Sequence, residues 1–176
     1  TPAAVLAGIA QAARNGVLIK GGVHLENLGR LRVMAFDKTG TLTEGRFAVT
    51  AVLALGGASE AEVLRLTAAV EGQSSHPLAQ AITIYATEQA APTLTVQDFE
   101  SVTGKGVRGQ IDGKTVVLGN TALMQLVGAD TASVAMEVAR FRAAGETVMF
   151  VAVNGRFTGF IGVADPIKPT TRQAIA

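Results

Sequence analysis

The sequence predicts an α/β chain in which an α+β domain built on an antiparallel sheet is inserted into a second, discontinuous α/β unit. Three observations carry this expectation. Residues 31–36 form an apolar run that ends on Asp37 and passes at once into the turn Lys38-Thr39-Gly40-Thr41, the arrangement found where a parallel strand delivers a side chain to a ligand. From Phe47 the texture changes to short apolar runs punctuated by Asp112-Gly113 and Asn154-Gly155, the preferred dipeptides of two-residue hairpins. Finally, Asp165-Pro166-Ile167-Lys168-Pro169 breaks the strand pattern before a new helical start at Thr170. The expected division is therefore residues 1–45, an insertion over 46–163, and a hinge with resumption of the first unit over 164–176.

Each element has a local reason. Residues 3–14 are Ala-rich and interrupted only by Gly8, which reads as a helix, and Gly16 closes it before the apolar run 17–19, read as a strand. A second short helix spans 23–28 and ends at Gly29, and the run 31–36 is the strand that carries Asp37. In the insertion, 47–55 reads as a strand, and Ser59 with Glu62 three residues on forms a capping box for a helix whose Val63, Leu64, Leu66, Thr67 and Val70 share one face. Pro77 suits the first turn of another helix to about residue 89, with Leu78, Ala81, Ile82 and Tyr85 inward. Strands follow at 96–102, 106–111 and 115–118, helices at 121–126 and 133–142, and a hairpin at 147–153 and 157–163.

Composition narrows the function. The 176 residues are nearly half apolar, enough for one ordinary domain or two small ones. A net charge of +1 argues against nucleic acid or an anionic membrane surface as partner, so any anion site must be local. The absence of cysteine removes disulfides and thiolate metal sites and is weakly in keeping with a cytosolic setting. No apolar run approaches the roughly 20 residues that span a bilayer, and none reads as a signal peptide.

Asp37 is the strongest chemical signal. A carboxylate at the end of an apolar strand can attack the γ-phosphate of ATP and form an aspartyl phosphate, while backbone N–H groups and hydroxyls of the following turn hold the transferred oxygens. Lys38 is placed to help position phosphate. His76, in Ser75-His76-Pro77-Leu78, stands at a helix start where its ring can face a ligand and stack on a base. The run Gly104-Lys105-Gly106-Val107-Arg108-Gly109 spells G-x-G-x-x-G, but strand-like sequence follows it instead of the helix a dinucleotide fold requires. By itself that run is a glycine-rich connection between strands. Gly119-Asn120 reads as a helix cap, and His24 as a solvent-facing residue.

The motif Asp37-Lys38-Thr39-Gly40-Thr41 resembles that of the P-type ion-pumping ATPases, and the His76-Pro77 pair is similar to one in their heavy-metal-transporting branch. The resemblance runs through essentially the whole chain, with Asp37, His76, the glycine loop and the hinge in family order. It implies a partial haloacid-dehalogenase-like phosphorylation domain over 1–45 and 164–176, with a nucleotide-binding domain between. It also implies that Glu71 contacts the adenine amino group, and that Gly104 and Gly106 let the backbone approach the nucleotide. Lys105 and Arg108 would add positive potential for its phosphates, and Gly119 and Asn120 would touch it. Asp165 and Lys168 fall at the hinge. The implied cofactors are ATP and magnesium, with the Asp37 carboxylate and the Thr39 carbonyl supplying part of the metal coordination.

Many phosphatases of the wider fold carry a second aspartate two residues after the nucleophile, where this chain has Thr39, which cannot do that proton work at neutral pH. Ser75 departs from the family, where many relatives have an acidic residue. The whole protein implied is a membrane pump exporting copper, or zinc and cadmium. Actuator and membrane domains would then lie elsewhere in the same chain, and this segment would be cytoplasmic. A haloacid-dehalogenase-type phosphatase and a nucleotide-binding module without turnover are the alternatives.

Overall fold

The computed structural model describes residues 2–175 and divides into two units, one ending at Asp37 and the other beginning at Lys38. In the first unit, helix α1 (Pro2–Arg14) packs on α2 (Gly22–Leu28) through two reciprocal small-to-large contacts. A Cβ at Gly8 would lie 2.7 Å from Leu25 Cδ2, and one at Gly22 would lie 2.7 Å from Val5 Cγ1. The glycine that interrupts the Ala-rich run is thus the seat for a leucine.

The strands expected at 17–19 and 31–36 do not form. A strand needs a neighbour to take its backbone N–H and C=O groups, and among the described residues none pairs with either run. Both runs keep their apolar character, with Leu18 79% and Val33 84% exposed.

The second unit is a six-stranded antiparallel sheet in the order β1-β6-β5-β4-β3-β2. Its strands are β1 (Ala48–Ala54), β2 (Gln97–Val102), β3 (Gly106–Ile111), β4 (Lys114–Gly119), β5 (Thr147–Val153) and β6 (Arg156–Ala164). The hairpin dipeptides act as expected. Asp112 and Gly113 (φ 51° and 74°) and Asn154 and Gly155 (φ 49° and 74°) are all left-handed, matching a type I′ turn, so that Ile111 faces Lys114 and Val153 faces Arg156.

Two helical layers cover the sheet. Helices α3 (Glu60–Glu71) and α4 (Pro77–Glu88) enclose one core with Val116, Leu118, Val151 and Ile161. On the opposite face, α5 (Thr121–Leu126) and α6 (Ala135–Ala143) enclose Val117, Phe150 and Phe160, the last meeting Phe141 edge to face at 5.4 Å. The strand period of two sends Val117 to one core and its neighbours to the other. Ser59 Oγ accepts the Glu62 N–H at the start of α3, and all five residues expected on its inner face are buried. Thr67, the polar member, satisfies its hydroxyl on the Val63 carbonyl at 2.7 Å.

Because β1 and β6 are neighbours, the two ends of the sheet unit meet. Ala48 pairs with Ala164, and beyond the strands Thr43 bridges Ile167. The short helix α7 (Thr171–Ile175) follows.

Candidate functional site

At one end of the sheet a cleft of about 380 Å³ opens between the last turn of α3, the start of α4, the β2–β3 loop and the beginning of β5. Its floor includes Val102, Val107, Val148 and Met149, while Glu71, Ser74, His76 and Lys105 stand among its polar groups.

Helix α3 ends at Glu71 with Gly72 as its C-cap, and residues 72–76 turn the chain into α4. His76 caps that helix: its Nδ1 accepts the Leu78 N–H at 3.2 Å, and its own N–H donates to Ser74 Oγ at 3.2 Å. The cap bond makes Nδ1 the acceptor and leaves Nε2 as the N–H of the neutral ring. The ring is thereby held at the rim and exposed. Glu71 is buried, with 3% of its surface exposed, and burial pushes its carboxyl up from 4.5 to about 7. This value had no signal in the sequence, because it depends on the tertiary enclosure of one helix end.

Asn120 organises the glycine loop. Its Oδ1 accepts the Leu123 N–H (3.1 Å), capping α5, while its Nδ2 donates to the Gly104 carbonyl (3.0 Å) and its N–H to the Lys105 carbonyl (2.8 Å). Gly106 and Gly119 face each other across β3 and β4. A Cβ at Gly106 would lie 2.0 Å from the Leu118 carbonyl oxygen, and one at Gly119 would lie 2.2 Å from that of Lys105. Both glycines are therefore required for two backbones to close on each other, a reason different from the nucleotide approach the sequence suggested for Gly106. Gly104 has open space around it and a φ of 69°, which leaves that corner of the cleft clear.

Arg108 stands apart from this group. The alternation along β3 buries Val107 and exposes Arg108, which grips Glu100 through Nε (3.0 Å) and Nη2 (2.6 Å) and lines a separate depression. Lys105 is thus the basic residue the cleft holds. Sequence reasoning missed Ser101, which β2 carries to the cleft beside β3, and Thr147, Val148 and Met149, which reach it because β5 lies beside β4.

The second place of interest is the turn after Asp37. Thr39 (φ −75°, ψ 123°) and Gly40 (φ 77°, ψ −17°) are the central residues of a type II turn, which demands a positive φ at Gly40. The Thr43 hydroxyl donates to Asp165 Oδ2 (2.6 Å), with the Lys38 carbonyl a longer acceptor at 3.1 Å, and itself accepts the Gly40 N–H at 3.1 Å. Asp165 Oδ1 accepts the Gly45 N–H (2.9 Å), Lys168 Nζ donates to the Gly40 carbonyl (2.6 Å), and Thr171 Oγ1 donates to that of Leu42 (2.7 Å). The returning segment clasps the turn by side chains at both of its conspicuous positions.

Hard oxygen donors such as Asp37 and the Thr39 carbonyl suit magnesium. Among the described residues no group of three or more His, Cys, Asp or Glu comes together to hold a metal ion. No helix among them is long and apolar enough to cross a membrane. His24 is exposed, as expected.

Residues 31–176 match the family model of haloacid dehalogenase-like hydrolases. Over 99% of its length the chain is 43% identical to a copper-transporting P-type ATPase of Rhizobium leguminosarum bv. viciae, of which it covers 21%. Among solved structures it is similar to a zinc-transporting PIB-type ATPase in its E2.Pi state, with a TM-score of 0.87 and 39% identity over 99% of this chain and 28% of that one. It is also similar to the catalytic domain of a CPx-ATPase described for its conformational changes upon nucleotide binding, with a TM-score of 0.65 and 28% identity over 95% of this chain and 57% of that one. The chain spans about a fifth of the length of the curated relative it matches.

Proposed function

From the membership of this chain in the haloacid dehalogenase-like hydrolase family, and its similarity to heavy-metal P-type ATPases, we propose that it is the nucleotide-binding and phosphoryl-accepting cytoplasmic segment of a membrane pump for heavy-metal cations. The observation that carries this reading is the convergence of Glu71, His76, Gly104-Lys105 and Gly119-Asn120, scattered over fifty residues of sequence, on one cleft. The same chain carries Asp37 and the turn that its hinge clasps.

In this reading the cleft takes ATP or ADP. The exposed face of His76 stacks on the base, Glu71 bonds its edge, and Lys105 with the loop N–H groups attracts the phosphates. Asp37 is the nucleophile: one carboxylate oxygen forms the new bond to the γ-phosphorus while the bond to the β,γ-bridging oxygen breaks. ADP leaves and an aspartyl phosphate remains. Lys38 and the turn hydroxyls meet the transferred oxygens. Thr39, in place of a proton-transferring carboxyl, does not activate water, so the acyl phosphate persists until another domain promotes its hydrolysis. Magnesium, when bound, would supply charge neutralisation on the γ-phosphate, with Asp37 and the Thr39 carbonyl among its ligands. The rest of the pump would supply the metal path through the membrane and the actuator, and the relatives' names leave copper and zinc both open as cargo.

The test is incorporation of acid-stable label from γ-labelled ATP into the full-length protein. The expected result is metal-dependent labelling that Asp37→Asn abolishes and that ADP chases off. Labelling that survives Asp37→Asn would contradict the assignment.

A further inference from the structure

Glu71 is a carboxyl group in a place that disfavours its charge. It ends α3, whose last turn holds no basic residue, so it sits at the negative end of the helix dipole. Its side chain is buried except where the carboxyl oxygens open on the cleft, and among the described residues no hydrogen bond reaches that carboxyl and no Lys, Arg or His nitrogen lies within 4 Å of it. An unpaired carboxylate in such a position is disfavoured, so the group keeps its proton to higher pH than an exposed glutamate does. The titratable groups that share its cleft are His76 and Lys105. The charged residues on the elements packed against α3, Glu88, Arg108, Lys114 and Arg156, are all exposed. Its elevated titration near neutrality agrees with this geometry.

We propose, resting on the nucleotide reading of the cleft, that Glu71 selects adenine as a carboxylic acid, its proton supplying the hydrogen bond that a ring nitrogen of the base must accept. A protonated carboxyl offers one O–H donor beside one carbonyl acceptor. Adenine presents the complement on either edge of its amino group: a ring nitrogen acceptor, N1 or N7, next to the N6–H donor. An ionised carboxylate offers acceptors only, and leaves that ring nitrogen facing a second lone pair. Guanine answers the ionised form instead, because its N1–H and N2–H donors lie side by side. The cleft should therefore lose adenine as Glu71 ionises and lose part of its preference against guanine at the same time.

The experiment titrates the 176-residue chain with adenosine and with guanosine from pH 6 to pH 9, probes that carry no titrating phosphate, with ADP at pH 6.5 as the reference ligand. For the wild type, adenosine affinity is expected to fall at least tenfold across this range while guanosine gains relative to it. Glu71→Gln, which keeps a donor beside an acceptor and cannot ionise, should bind adenosine within about threefold of the wild type at pH 6 and show at least threefold less change to pH 9. Glu71→Leu should lose adenosine at every pH, its fold checked by the amide spectrum. His76 is present in all three proteins, so its contribution is common to the comparison. A wild-type profile that is flat, or a Glu71→Gln profile as steep as the wild type, overturns the proposal while leaving nucleotide binding intact. Failure of ADP to bind at all overturns the nucleotide reading and this proposal with it.

Discussion

Replacing Glu71 by glutamine should stabilise the folded chain, and only at the alkaline side. Between pH 4.5 and about 7 the folded protein keeps a proton on Glu71 that the unfolded chain releases. Stability therefore falls as pH rises through that window and stays low above it. A gap of this size, at about 1.4 kcal/mol per pH unit, amounts to about 3 kcal/mol once both states are ionised. Glutamine has nearly the same shape and no titration, so it escapes the penalty. The expected gain over wild type is under about 1 kcal/mol at pH 5 and about 3 kcal/mol at pH 8.5. Urea unfolding followed by circular dichroism at the two pH values measures it. An equal difference at both, or a Glu71→Gln protein less stable than wild type at pH 8.5, would refute the reasoning that burial and the helix end hold this carboxyl neutral.

Other perturbations separate the roles of the remaining residues. Truncating His76 to alanine should weaken ADP binding by about 1–3 kcal/mol, the range of base stacking on aromatic rings, as read by calorimetric titration; unchanged affinity would remove His76 from the site. Gly106→Ala, whose Cβ would meet the Leu118 carbonyl at 2.0 Å, should cost about 3 kcal/mol in unfolding experiments. Gly104→Ala, strained only by its φ, should cost about 1 kcal/mol. Asp165→Ala removes the acceptor of the Thr43 hydroxyl and the Gly45 N–H and should cost about 2 kcal/mol, with hydrogen exchange accelerating in residues 40–45 while the sheet amides stay protected.

Most of the sheet unit was legible because its signals are local. Ser59, Pro77, Asp112-Gly113 and Asn154-Gly155 each fix a cap or turn through their own backbone chemistry, and the periodicity of 63–70 reports a single buried face. The runs 17–19 and 31–36 misled for the converse reason: apolar side chains signal burial, whereas a strand exists only where another backbone supplies its ladder. Within the site, His76 and Asn120 could be read as caps from sequence alone. The separation of Arg108 from Lys105 followed from strand alternation that a glycine-rich string obscures, and the capture of Arg108 by Glu100 depends on β2 pairing with β3. Thr147 and Met149 had no signal, since only the order of strands brings them to the cleft. The clasp of Asp165 and Lys168 on the turn was visible as two polar residues in a proline-rich link, but not as bonds to Thr43, Gly45 and Gly40.

The central claim is that an adenine nucleotide occupies the cleft at the end of α3, and amide chemical-shift mapping during an ADP titration tests it most directly. The account predicts saturable shifts concentrated at residues 71–78, 101–107, 119–120 and 147–149, preserved in Asp37→Asn and reduced in His76→Ala. Shifts confined to the groove between the hinge strands and α4, around Arg46, Phe47 and Ile84, or the absence of saturable shifts anywhere, would contradict it.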